Sequence, residues 1–176
     1  MTWQWTINQI FALIGLVFII ISFQQKDSKK LLIFRNIATL VIFIGLCIFG
    51  NASAIILCGA GVIRNIITLY FAYKPNASKV LKYVSSALLM LLVIVLNIIY
   101  WKNLFNLYSI VLGIVAVITF MQSKASTIRK MSVFAEILAI VYYALLLSPI
   151  NTVVEVIGLI SVIVGIIRLD IKKNSK

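Results

Sequence analysis

Seven apolar stretches, each close to twenty residues long, divide the chain and leave only short segments between them. A helix needs about 20 residues to cross the hydrocarbon of a bilayer, so each stretch has the length of a membrane span. The approximate limits are 5–23, 31–49, 52–72, 80–100, 104–121, 131–148 and 150–169. With 63% hydrophobic and 11% charged residues, the chain has more apolar surface than a soluble core could hide. The sequence therefore predicts an all-α integral membrane protein with seven transmembrane helices.

Two of the boundaries between stretches rest on turn residues alone. Gly-Asn at 50–51 separates stretches two and three, and Ser-Pro at 148–149 separates stretches six and seven. Read as one helix, either pair would be about 57 Å long at 1.5 Å per residue, nearly twice the hydrocarbon thickness. Gly-Asn and Ser-Pro are typical of chain reversal, so we predict a tight helical hairpin at each place.

The charged residues between the stretches predict how the chain is oriented in the membrane. With the N-terminus outside, the outer segments hold only Lys102, whereas the inner segments hold twelve cations. These are Lys26, Lys29, Lys30, Lys74, Lys79, Lys82, Lys124, Arg129, Lys130, Lys172, Lys173 and Lys176. Trp3, Trp5, Tyr100 and Trp101 then all fall at the outer interface, where amphipathic aromatic rings are enriched. We predict an outer N-terminus and a cytoplasmic C-terminus.

Several classes of function are disfavoured by composition. The net charge of +12 lies mostly between apolar stretches, where cations meet lipid headgroups, so we expect no nucleic-acid binding. The chain has no His, and Cys47 and Cys58 lie inside apolar stretches without CxxC spacing, so we expect no metal site and no cofactor. We expect no enzymatic activity, because no nucleophile and base arrangement is present. The expected partner is the lipid bilayer; a small-molecule substrate and a second copy of the chain are left open.

The second half of the chain repeats features of the first half in the same order. Gly-Val-Ile-Arg at 61–64 returns as Gly-Ile-Ile-Arg at 165–168, an offset of 104. Six further residues of the first half correspond to residues of the second half at offsets of 97 to 100. In order, Gly113, Thr119, Phe120, Glu136, Ala139 and Tyr143 correspond to Gly15, Ser22, Phe23, Asn36, Thr39 and Phe43. The pattern predicts a duplicated three-helix unit, with repeats at 5–73 and 104–170 and a linker helix at 80–100. One linking helix gives both repeats the same orientation, so the predicted axis runs along the membrane normal.

A resemblance to known families rests on this plan and on a sparse set of residues. The 3+1+3 order of helices resembles the SWEET and PQ-loop superfamily of small carriers. The set Gln9, Gly15, Phe23, Lys29-Lys30-Leu31, Gly50, Ala52, Ala54, Arg64, Trp101, Asn103, Gly113, Arg129, Glu155 and Arg168 is similar to the bacterial YgjV-type inner-membrane protein family. That resemblance implies the inner membrane but no defined biochemistry. The superfamily implies transport by analogy only.

The chain departs from SWEET-like carriers at the residues that let their helices bend. Those carriers usually have a proline in the first helix of each bundle, whereas this chain has only Pro75 and Pro149, both in predicted loops. If the chain transports, bending must therefore occur at glycine, and Gly15 and Gly113 are the candidate hinges.

Polar residues recur on two matched helix faces within the apolar stretches. Asn36 and Thr39 share one face of stretch two, Glu136 and Ala139 share the matching face of stretch six, and Phe43 and Tyr143 extend these faces by one turn. Together with Asn65 and Glu155 they are the candidate substrate or proton path, with the two aromatic rings as gates. The alternative is ordinary packing with interhelical hydrogen bonds.

The two glutamates within the spans have separate candidate roles. Glu136 and Arg168 lie toward the inner side and are a candidate structural ion pair. Glu155 lies about 7 Å inside the outer end of stretch seven, where it serves either as a substrate or proton site or as a partner of Lys102. We expect about 15 Å of membrane depth between the two carboxyl groups, too far for one shared proton.

Two classes of function remain. In the first, the chain is a carrier of a small polar metabolite that works by alternating access between its two bundles. In the second, it is a multi-pass membrane scaffold or partner-binding protein that transports nothing. A carrier requires polar side chains around a cavity at mid-depth, whereas a scaffold can fill that space with Leu and Ile.

Overall fold

Seven helices build the protein in its computed structural model, which describes residues 3–50, 52–74, 78–101, 104–145 and 149–171, apart from the side chains of 49, 52, 53 and 79. The helices are α1 (Trp3–Phe23), α2 (Ser28–Phe49), α3 (Ala52–Tyr73), α4 (Lys79–Ile99), α5 (Phe105–Phe120), α6 (Ala125–Leu145) and α7 (Pro149–Gly165). A π-helical segment, Ile166–Ile171, continues α7. These ranges contain no β-strand. The predicted all-α class is confirmed.

Five of the seven helices are long and apolar enough to cross a membrane, namely α1 to α4 and α7 with its π-helical end. Helix α5 is a shorter apolar helix of 16 residues. Helix α6 has 21 residues but includes Arg129, Lys130 and Glu136, which lower its hydropathy. Arg129 and Glu136 are each only 2% exposed, so neither charge faces lipid. The chain is an all-α multi-pass membrane protein; crossing by α5 and α6, and the side of each terminus, stay predictions.

Helix boundaries differ from the sequence expectation where polar residues extend a helix. Helix α2 begins three residues earlier than expected because the Asp27 carboxylate caps it, accepting a hydrogen bond from the Lys29 N–H at 3.1 Å. At the other end Gly50 adopts φ +80°, and its N–H donates to the Leu46 carbonyl at 2.9 Å. The chain therefore reverses between α2 and α3 as predicted. Asn51, Ser148 and Lys102 lie outside the described residues.

Six helices form a closed ring, and the fourth lies outside it. Around the ring the order is α1, α2, α3, α5, α6, α7 and back to α1, while α4 packs on α3 and α5. Helices α1 and α7 run parallel, since Phe23 and Ile19 of α1 approach Gly165 and Gly158 of α7 in the same order. Opposite one another across the ring are α1 and α5, α2 and α6, and α3 and α7. Superposition of the two halves stays a prediction.

Apolar side chains cover the outside of the ring and of α4. On α4 alone, Val80, Leu88 and Ile99 are 69%, 60% and 67% exposed. A water-soluble protein rarely exposes such a continuous apolar face, whereas a bilayer solvates it. Polar side chains are instead buried inside the helix bundle, including Asn65, Ser109 and Ser132, which are fully buried.

Candidate functional site: a charged cavity at the centre of the ring

A cavity of about 100 Å³ lies between the two halves of the ring and is lined by residues from all six ring helices. We call it the central cavity. Its charged lining consists of Arg35 from α2, Arg64 from α3, Glu136 from α6 and Glu155 from α7. Thr39, Tyr143 and Asn151 add hydroxyl and amide groups. Four ionisable side chains around one small space inside a membrane helix bundle are typical of a functional site.

Arg35 and Glu136 form an ion pair across the ring. Nη2 of Arg35 lies 3.2 Å from Oε1 of Glu136, and the two side chains are 14% and 2% exposed. The Arg35 guanidinium also lies 5.3 Å from the ring centroid of Phe23 and 5.1 Å from that of Phe120. These two cation–π contacts hold the arginine in place. The pair therefore joins α2 to α6 and is anchored by aromatic rings of α1 and α5.

Arg64 is positioned by a hydrogen-bonded chain of side chains. Its Nε and Nη2 donate to Oδ1 of Asn65 at 3.1 and 2.9 Å. Nδ2 of Asn65 donates to Oγ1 of Thr39 at 3.0 Å, and that hydroxyl donates to the Arg35 carbonyl at 2.8 Å. The Arg64 guanidinium lies 4.5 Å from the centroid of Phe120. Asn65 thus lies behind the cavity wall and orients Arg64 instead of lining the cavity itself.

Glu136 and Glu155 are neighbours, and the expected separation of about 15 Å is wrong. Both carboxyl groups line the central cavity and interact electrostatically with each other. A Cβ on Gly158, one turn beyond Glu155, would lie 3.2 Å from Oε2 of Glu136. Because α6 begins at Ala125 instead of 131, Glu136 lies near the middle of this helix. At 1.5 Å per residue, Glu136 lies about 13 Å from the C-terminal end of α6, and Glu155 lies about 9 Å from the N-terminal end of α7. These two helix ends face each other.

The predicted ion pair between Glu136 and Arg168 is also wrong. Glu136 is paired with Arg35, and Arg168 is exposed. The second ion pair of the described part of the chain joins Arg129 of α6 to Asp170, with Nε of Arg129 3.1 Å from Oδ2. A π-helix has more residues per turn than an α-helix, so side chains beyond Gly165 depart from the α-helical register. Arg168 and Asp170 thereby lie in different environments.

The structure separates the predicted path residues into two groups. Thr39, Glu136, Tyr143 and Glu155 line the central cavity, as does Ala139. The predicted residues Asn36 and Phe43 do not belong to its lining. The Phe43 ring packs instead against α3, where a Cβ on Gly59 would lie 3.1 Å from it. Roles for these residues in a substrate or proton path stay predictions.

The two candidate hinges, Gly15 and Gly113, lie at close contacts between helices. A Cβ on Gly15 would lie 2.5 Å from Cγ1 of Ile42 in α2, and one on Gly113 would lie 2.7 Å from Cγ1 of Val93 in α4. Close packing is therefore one reason for glycine at each position. Bending at these positions stays a prediction.

Three charged or amide residues of the lining, Arg35, Arg64 and Asn151, were not among the predicted site residues. A signal for Arg35 was present, because an arginine within an apolar stretch must find a buried partner, and Glu136 and Glu155 are the acidic residues at depth. Asn151 lies in the first turn of α7, which begins at Pro149, and it is buried.

Comparison with known proteins supports the membrane assignment. Residues 6–173 match the Imp-YgjV family, described as bacterial inner membrane protein. The chain belongs to this family. No curated protein and no solved structure matches it. As a member of Imp-YgjV it is a bacterial inner-membrane protein, and the central cavity is a feature of this member of the family.

Proposed function

We propose that this protein is a small-molecule transporter that moves a small polar metabolite by alternating access through the central cavity. The single observation that carries the proposal is the charged lining of that cavity, contributed by helices on opposite sides of the ring. A helix bundle that serves only as a scaffold has no packing reason to bury Arg35, Arg64, Glu136 and Glu155 together. The six ring helices and the outlying α4 also suit the 3+1+3 plan of SWEET-like carriers, which we propose by analogy.

The size of the cavity indicates a small solute. A volume of about 100 Å³ holds roughly three water molecules at about 30 Å³ each. Ligand pockets for larger molecules are typically about 300–1,000 Å³. We therefore infer that the cavity enlarges to admit a larger solute when the helices around it separate.

A second space lies at the end of the ring that carries the basic loops. This vestibule has a volume of about 560 Å³ and is bounded by the start of α2, the end of α3, α4 and the end of α5. Its polar lining includes Lys74, Lys82 and Ser123. Phe120 lines both the vestibule and the central cavity. We propose that the vestibule is the inner access route and that the Phe120 side chain closes it in this conformation.

The glutamate pair is our candidate for proton coupling. Oε2 of Glu136 and Oε2 of Glu155 are both buried and accept no hydrogen bond in the described part of the chain. A proton on one carboxyl group would supply the donor that the other lacks and would remove the repulsion between two neighbouring charges. Movement of that proton with the solute would make transport proton-coupled; without such movement it would be facilitated diffusion.

An uptake screen in proteoliposomes tests the proposal. Protein reconstituted with a panel of labelled amino acids, organic acids and small sugars should move at least one solute faster than empty liposomes. Glu155→Gln should lower that rate strongly while the melting temperature stays near that of the wild type. Arg168→Gln, an exposed change on the same helix, is the matched control and should leave uptake intact. Wild-type protein that moves no solute would instead favour the scaffold.

A further inference from the structure

Arg64 is a buried guanidinium without an acidic partner. Arg64 is 6% exposed and lies within α3, a helix long and apolar enough to span the membrane. Within the described ranges, no carboxylate oxygen lies within 4.0 Å of it, since the two ion pairs there join other residues. Asn65 and the Phe120 ring orient its charge but do not neutralise it. A charge at this depth is costly unless it is compensated, so the site favours an incoming anion.

A second guanidinium offers an unused donor to the same space. Nη1 of Arg35 is buried and makes no hydrogen bond among the described residues, although Nη2 is paired with Glu136. Arg64 uses only Nε and Nη2 for Asn65. Both arginines line the central cavity. Guanidinium groups present donors in a planar fork that matches the two oxygens of a carboxylate.

The route from the basic end carries the same sign of charge. Lys74 and Lys82 line the vestibule, and Phe120 lines both the vestibule and the central cavity that contains Arg35 and Arg64. Cations along a narrow space with apolar walls raise the local concentration of anions. An anionic solute is therefore attracted from the vestibule toward Arg64, whereas a cationic one is repelled.

The opposite wall limits how much negative charge the solute can carry. Glu136 and Glu155 lie across the ring from Arg64, and Glu136 is already paired with Arg35. A second negative group on the solute would meet these carboxyl groups and be repelled. Space of about 100 Å³ likewise favours one carboxylate on a short carbon skeleton.

We infer that the central cavity binds a small solute bearing one carboxylate, with that carboxylate on the guanidinium of Arg64. This inference rests on the proposed function of the central cavity. It concerns binding of the solute, which is measured separately from transport. Two solute classes share the chemistry, hydroxy acids and amino acids. They differ in whether a hydroxyl or an ammonium group faces the glutamate pair.

Thermal unfolding of the purified protein in detergent tests the inference with four probes of nearly equal shape. Lactate and alanine carry the carboxylate, and lactamide and alaninamide replace it with an amide. A ligand that binds the folded state raises the melting temperature, so at least one of the two carboxylates should raise it and neither amide should. Lactate acting alone identifies the hydroxy acid class, and alanine acting alone the amino acid class. Amides that act equally well, or carboxylates that do nothing, would overturn the inference.

Variants locate the site. Arg64→Gln should weaken carboxylate binding by about tenfold or more, because it removes a charged hydrogen-bond donor, and Arg64→Lys should retain part of the affinity. Arg168→Gln is the matched control, since Arg168 occupies the equivalent place in the sequence repeat but is exposed. If Arg64→Gln folds and binds normally, the carboxylate lies elsewhere and the inference fails. If Arg64→Gln does not fold, the comparison of carboxylates with amides on the wild type still decides.

The outcome for transport is distinguishable from the outcome for binding. Carboxylate binding at Arg64 without uptake in proteoliposomes would leave the inference standing and contradict the proposed transport. Uptake of uncharged solutes without carboxylate binding would leave transport standing and contradict the inference.

Discussion

Arg35 and Glu136 face each other from α2 and α6, helices on opposite sides of the ring, and their side chains meet with Nη2 3.2 Å from Oε1. Both residues line the central cavity, so the contact joins α2 to α6 across the interior of the ring. The pair holds the two halves of the ring together. Any motion that opens the cavity must therefore either keep this contact or break it.

Removing one partner of this pair should destabilise the protein. Arg35→Gln leaves the Glu136 charge buried without a partner, which typically costs about 3–5 kcal/mol. We expect a clearly lower melting temperature in detergent. Lys30→Gln, an exposed change on the same helix, should have almost no effect. The double variant Arg35→Gln with Glu136→Gln should recover part of the loss; simple addition of the two losses would contradict the pairing.

Glu155→Gln should leave stability almost unchanged, in contrast to Glu136→Gln. Glu155 has no cation within ion-pair distance among the described residues and shares the cavity lining with the Glu136 carboxyl group, so loss of its charge removes repulsion. We expect a change in unfolding free energy of at most about 1 kcal/mol. If Lys102 were its partner, Glu155→Gln and Lys102→Ala would each destabilise and would be non-additive together. Unchanged uptake as well as unchanged stability would remove Glu155 from the transport mechanism.

Arg129 should be a second stabilising residue at the basic end. It is 2% exposed, pairs with Asp170, and its Nη1 donates to the Gln25 carbonyl at 2.8 Å. Arg129→Gln should therefore cost about 3 kcal/mol or more, measured as a fall in melting temperature. Lys130→Gln, its exposed neighbour, serves as the control. Equal melting temperatures for the two variants would show that the contact contributes nothing.

Alanine at two closely packed glycines should have unequal effects. A Cβ at Gly165 would lie 2.7 Å from the Phe23 carbonyl oxygen, a backbone atom, whereas one at Gly113 meets mainly the Val93 side chain. A side chain can change rotamer but a helix backbone cannot move cheaply, so Gly165→Ala should cost more, about 1–3 kcal/mol. Thermal unfolding of both variants provides the measurement. A larger loss for Gly113→Ala would contradict this account of the α1–α7 contact.

The orientation of the chain can be measured by cysteine labelling. Single cysteines at Ser28 and Ser126, in a background where Cys47 and Cys58 are replaced by Ala, should be protected from an impermeant reagent in intact cells. They should react once the cells are opened, because the basic loops are expected on the cytoplasmic side. Labelling of either position in intact cells would reverse the predicted topology.

Much of the architecture was predictable from the sequence because the bilayer imposes local rules. Length and hydropathy predict helices, and Gly50 marks a reversal because its φ of +80° suits glycine. Thr39, Glu136, Tyr143 and Glu155 were likewise identifiable, since polar side chains at membrane depth must face the interior.

The pairing of the charged residues was decided by the tertiary structure. Hydropathy marks where a helix is apolar, not where it begins, so an extra turn and a half before the apolar part of α6 places Glu136 near the middle of the helix instead of near its start. Its partner became Arg35, from the opposite side of the ring, and not Arg168. Arg64 and Arg168 occupy equivalent places in the sequence repeat, yet the first is buried beside the cavity and the second is exposed. Helix ends, helix rotation and the π-helical turn set these contacts, and each depends on packing between segments far apart in the chain.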